Sequence, residues 1–251
     1  YTPPGGTSRP YRFLYTGDFF LSNSRLVEGL PLGELRGLAP DVLILEGSFG
    51  TARHPHRRQQ ENQLAERMIQ AIANHRSILL PAPSLGLAQE LLMLLRSHHN
   101  FTGRDLDIWV DSAVALSCDA YLEILPHLPT TVQNFARHQS LFWDDRIRPR
   151  VRRLAPGQFP PQDAPCIVLV DETTDLHPYY RAAPERWLIL APQQPHRHTG
   201  LEDETAVAAS QSFPLLEFYL LAQHCDGPGT TQLIHNLRPQ HVVFLHGSPT
   251  Y

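Results

Sequence analysis

Seven short, unbroken apolar runs constrain this chain more than any other feature. They lie at 13–16, 41–46, 77–80, 106–110, 166–170, 187–190 and 241–245. Between most of them stand patterns of helical period, at 60–74, 85–96, 113–125 and 230–237, each long enough to carry the chain to a parallel neighbour. A strand that is apolar on both sides needs cover on both sides. The alternation therefore predicts an α/β fold, a largely parallel sheet flanked by helices. Proline-rich stretches at 156–165 and 192–195 read as surface loops.

A length of 251 residues with 42% apolar content suffices for one large core or two smaller ones. The longest apolar runs, 77–83 and 166–170, fall far short of the roughly 20 residues that cross a bilayer. No basic-then-apolar leader opens the chain, so a soluble, cytoplasmic protein with no membrane partner is the expectation. Cys118, Cys166 and Cys225 form no CxxC pair and are odd in number, which fits a reducing compartment. The net charge of −4 argues against a broad electrostatic grip on nucleic acid. All 21 basic residues are arginine, and five of them crowd 146–153. That run reads as a solvated loop, with a phosphate-tracking surface as the alternative.

Three of the apolar runs end in a residue that can bind a metal or move a proton: Asp18, Glu46 and His246. Each alone reads as an ordinary loop cap. Ligands gather at the carboxyl ends of parallel strands, however, and three such residues would meet on one rim. Gly17, Gly47 and Gly247 beside them permit tight turns and close backbone approach. A further candidate, His224, follows the apolar run 215–222. His54, His56, His98, His99, His196 and His198 lie in polar or proline-rich surroundings and are expected to face solvent. The pairs His54/His56 and His196/His198 have a spacing that could share a metal, but no acidic partner stands in register.

Taken in order, these segments resemble the β-CASP nucleases of the metallo-β-lactamase fold. Leu14-Tyr-Thr-Gly-Asp18 looks like the strand-end TGD of that family. Asp41-Val-Leu-Ile-Leu-Glu-Gly-Ser-Phe-Gly50 looks like its first signature, and Pro81-Ala-Pro-Ser-Leu-Gly-Leu-Ala-Gln-Glu-Leu-Leu92 like its strand-loop-helix segment. His224-Cys-Asp226 is similar to the second signature and His241-Val-Val-Phe-Leu-His-Gly247 to the third. The resemblance runs nearly the whole length of the chain.

What the resemblance implies is a partial metallo-β-lactamase αββα domain over 1–52, an inserted β-CASP domain over 53–214, and a return to the first domain over 215–251, with the active site between them. Two zinc ions are the implied cofactors. Asp18 would bridge them and His246 would ligate one; His224 would be the general acid, held in position by Glu46. RNA is the implied substrate, because a histidine at the third signature distinguishes RNA-acting members. Self-association or a processing complex are the implied protein partners.

Departures from the family pattern carry their own expectation. The family's HxHxDH motif is absent from this sequence, which leaves Asp18 and His246 as its share of the ligand set. Two ligands hold two zinc ions weakly, so the stretch is expected to be inactive by itself. It then reads either as a portion of a longer zinc-dependent ribonuclease, which the opening at Tyr1 favours, or as a catalytically inactive scaffold that binds RNA or protein. Leu87 replaces an expected arginine, Ser248 a frequent glutamate, and 171–175 a small-residue loop, which bears on RNA contacts and not on the metal residues. A dinucleotide-binding reading fails, since Ser84-Leu-Gly86 supplies one glycine where a glycine-rich turn is needed.

Overall fold

Each of the seven apolar runs forms a strand, and among the described residues all nine strands pair in parallel. The structure, a computed structural model, describes residues 9–193 and 214–247. Ser248 and the His196/His198 pair lie outside the described residues. In chain order the elements are β1 (Phe13–Tyr15), α1 (Leu32–Leu35), β2 (Val42–Glu46), α2 (Arg57–Ala73), β3 (Ser77–Ala82), α3 (Leu87–Ser97), β4 (Asp107–Val110), α4 (Ser112–Glu123) and α5 (Thr130–His138). There follow β5 (Arg150–Arg153), β6 (Ile167–Asp171), α6 (His177–Tyr180), β7 (Trp187–Pro192), β8 (Leu215–Tyr219), α7 (Gly227–Leu237) and β9 (His241–Leu245).

The strands form two sheets. One has three strands in the order β1-β2-β9, the other six in the order β5-β4-β6-β3-β7-β8. The larger sheet is inserted in sequence between β2 and β9. Its central strands β3 and β7 are buried along their whole length. Alternate residues of β3 serve opposite cores: Ile78, Leu80 and Ala82 pack toward the main cluster with residues of α2 to α5, while Leu79 joins Val168, Val170, Tyr179 and Trp187 on the other side. Two-sided cover explains why these strands read as unbroken apolar runs. Fully burying each such side chain contributes roughly 1.5–3 kcal/mol.

The smaller sheet has cover from α7, where Leu43 and Leu45 meet Leu233 and Leu237. Helix α7 starts at Asp226, whose side chain accepts a hydrogen bond from Gly229 N, with Pro228 in its first turn; it ends at Arg238 in the left-handed conformation. On the opposite face Phe13, Tyr15 and Val243 are exposed.

Three readings need correction. The arginine run 146–153 is not a loop throughout: Arg150–Arg153 is the edge strand β5. Its arginines are ion-paired, Arg150 with Asp105 and Asp107, Arg152 with Asp107, and Arg153 with Asp119, so little cationic surface is left to track phosphates. The segment Leu215–Tyr219 pairs with β7, so the chain leaves the larger sheet after Tyr219 and not at the expected 214/215 division. His98 is buried and His54 half-buried, contrary to the expectation that they face solvent. His98 Nε2 lies 3.0 Å from Asn62 Oδ1, and burial lowers its pKa.

A candidate active site between the two sheets

Because β1, β2 and β9 run parallel in register, their carboxyl ends share one rim. Tyr15 pairs with Ile44 and Ile44 with Val243, while Glu46 pairs with Leu245. The ladder continues past the strands through Thr16 N to Ile44 O at 3.1 Å and Gly47 N to Leu245 O at 2.7 Å. Gly17 turns at φ +62° and His246 at φ +58°, a left-handed conformation that a non-glycine residue rarely adopts. The turn sets Gly247 so close that a Cβ there would stand 3.2 Å from Gly47 O. His246 Nδ1 lies 3.4 Å from Asp18 Oδ1, with both side chains more than half exposed.

Glu46 is 3% exposed and its carboxylate is fully engaged. Oε1 accepts from Phe19 N at 2.6 Å, and Oε2 accepts from Ser48 Oγ at 2.7 Å. His224 Nδ1 stands 2.7 Å from the same Oε2. With the carboxylate already accepting two donors, His224 Nδ1 is the protonated nitrogen of that contact and Nε2 faces away from it. Burial opposes ionisation of Glu46, but the hydrogen bonds from His224, Ser48 and Phe19 outweigh it and hold the carboxyl below its usual range. The same bond raises the His224 pKa above 6.5, against a smaller opposing effect of burial, with Asp18 adding attraction.

The backbone that carries His224 is stitched on three sides. Ala222 N donates to Gln60 Oε1 at 2.9 Å, Cys225 N to Phe19 O at 3.1 Å, and Asp226 Oδ2 accepts from His54 N at 2.9 Å. Phe49 stands edge-on between His54 and His224, with ring centroids 4.3 Å and 6.3 Å away. Ser48 and Phe49 lie inside the first signature segment, yet nothing in their residue types marked them as supports. Gln60 gave no signal at all.

Ligand atoms of Asp18, Glu46 and His224 lie within 4.8 Å of one another, close enough to surround an ion. The hydrogen bonds decide against Glu46 as a ligand, since three donors occupy it. Asp18 and His246 fit a metal better: two ligand atoms each about 2.0–2.1 Å from a tetrahedral zinc stand roughly 3.3 Å apart. Their observed 3.4 Å matches one such edge.

Among the described residues, no helix is long and apolar enough to cross a membrane. No family model matches the chain. It is 51% identical over 245 residues to an uncharacterized protein of Synechocystis sp., covering 96% of this chain and 44% of that protein. It is 24% identical over 253 residues to the cleavage and polyadenylation specificity factor 73 of Drosophila melanogaster, covering 94% of this chain and 36% of the factor. It is 26% identical over 266 residues to endoribonuclease YSH1 of Mycosarcoma maydis, covering 94% of this chain and 28% of the enzyme. The chain thus spans less than half the length of these relatives. Over nearly its whole length the chain is similar to endoribonucleases of the β-CASP, metallo-β-lactamase type, and its parallel, helix-flanked sheets fit that likeness.

Proposed function

We propose that this chain supplies the general acid and part of the metal-binding edge of a zinc-dependent ribonuclease that hydrolyses RNA phosphodiester bonds. The observation that carries the reading is the contact of buried Glu46 with half-buried His224, 2.7 Å across, set beside Asp18 and His246 on one rim. Asp18 and His246 would hold the metal, with further ligands from outside this stretch. Zinc at such a site supplies a hydroxide near neutral pH and a clamp for phosphate oxygens. Glu46 fixes the imidazole by accepting from Nδ1, which leaves Nε2 to give its proton to the departing oxygen. The contact with Glu46 raises the pKa of His224, which favours the protonated form that a general acid needs. The endoribonuclease names of the fungal relatives support RNA as substrate.

By itself, the stretch is expected to hold substoichiometric zinc and to cleave neither RNA nor DNA, because two ligands leave the metal largely to water. The test compares zinc content and single-turnover RNA cleavage in the full-length protein. His246→Ala should lower both, whereas His224→Ala should lower the rate and keep the metal. A His224→Ala protein that sheds zinc, or cleaves at the parent rate, removes the acid assignment.

A further inference from the structure

Beside Asp18, between the 18–34 segment and helices α2 to α4, lies a cavity of about 590 Å³. Its wall includes Gln223, the neighbour of His224, so an occupant lies next to the position where a bond would be cut. Phe20 and Tyr121 contribute aromatic surface, and the volume falls in the roughly 300–1,000 Å³ range of small-ligand sites.

The charges on this wall are unusual for an RNA-handling protein. Among the described residues Arg57 is the one basic residue on it, and its guanidinium is already spent on Glu61, Glu90 and the Ala222 carbonyl. Glu90 in turn accepts from Ser24 Oγ, Arg25 N and Leu26 N, which fixes the facing loop. Asp18 lies at the metal-binding edge of the same wall, and Glu28 and Glu34 remain, both exposed; among the described residues neither of their carboxylates has a hydrogen-bond or ion-pair partner. Such a wall repels phosphate and attracts N–H donors. A nucleotide beside the cut would therefore enter base first.

We propose that this cavity is a base-reading subsite for one unpaired ribonucleotide adjoining the scissile phosphate, and that Glu28 and Glu34 select adenine, cytosine and guanine over uracil. The proposal rests on the ribonuclease reading above. Exocyclic amines of the first three bases donate to carboxylates, whereas uracil flanks its single N–H with two carbonyls that a carboxylate repels. The base must be unpaired, because its Watson–Crick edge is the one that is read.

The probes are octaribonucleotides identical except for the nucleotide on either side of the cut, cleaved by the full-length protein. Uridine at one of the two positions should slow kcat/KM by about tenfold or more, the scale of one lost base contact. Glu28→Gln with Glu34→Gln should bring that discrimination below about twofold, since an amide both donates and accepts. Binding of the same octamers in EDTA, which withholds metal and prevents cleavage, should follow the same order. Equal cleavage of all octamers, or discrimination unchanged in the double variant, overturns the subsite and leaves the ribonuclease reading standing. Absence of cleavage with selective binding that the double variant loses overturns the ribonuclease reading and keeps the subsite. Absence of selectivity in binding as well overturns both.

Discussion

The two sheets are made of the same kind of apolar strand but sit in opposite surroundings. In the six-stranded sheet β3 and β7 are sealed on both faces, and Asp111 and Asp171 at the strand ends are occupied by neighbouring backbone and threonine donors. In the three-stranded sheet one face is open, and the strand ends carry Asp18, Glu46 and His246. The difference teaches that rigidity and chemistry are divided between the sheets. The sealed one supplies a frame, and the open one holds the polar groups of the candidate site. They meet at Glu90, which projects from α3 and takes its donors from the loop after β1.

Variants can break or sharpen this division. The largest effect belongs to the open sheet: His224→Ala in the full-length protein should lower single-turnover cleavage by about 10²–10⁴, the usual worth of a positioned general acid. Its unfolding midpoint should move little by comparison. If stability falls with the rate, chemistry and frame are not separate.

Next comes the junction. Glu90→Ala takes the acceptor from Ser24 Oγ and from the backbone N–H groups of Arg25 and Leu26, while Arg57 keeps Glu61 and the Ala222 carbonyl; a buried donor left unsatisfied costs about 1–3 kcal/mol. Denaturant unfolding measures it, and a cost under about 1 kcal/mol would mean that the sheets are joined elsewhere. In the sealed sheet Leu79→Ala should cost about 2–5 kcal/mol, for lost burial and the cavity left behind. Tyr15→Ala on the open face should stay within about 0.5 kcal/mol. Equal costs at the two positions would erase the contrast.

The smallest effect is a titration. In metal-free protein, NMR should place the His224 pKa above 6.5, and Glu46→Gln should bring it down. The sign of the linked stability follows from the two shifts. His224, raised when folded, contributes stability that is complete below 6.5 and lost as pH rises through its folded pKa. Glu46, depressed when folded, contributes above 4.5 and loses it as pH falls through its folded pKa. A His224 pKa that ignores Glu46→Gln would show that the 2.7 Å contact is not the cause.

The sequence by itself determined the seven apolar strands, because burial on both faces, or on one face with a helix above it, demands apolar residues in unbroken order. It also placed Asp18, Glu46 and His246 at strand ends, which parallel pairing then carries to one rim. Tertiary structure alone decided the rest. Arg150–Arg153 holds one buried residue, Val151, and becomes a strand because β4 offers it a ladder and Asp105, Asp107 and Asp119 neutralise its arginines. Leu215–Tyr219 reads as part of the apolar approach to His224, and it is a strand because β7 has a free edge. The contact of His224 with Glu46 spans 178 positions; the resemblance implied it, but residue type and spacing alone do not dictate it. Local pattern sets what a segment must bury, whereas its partners depend on which distant groups the folded chain brings within reach.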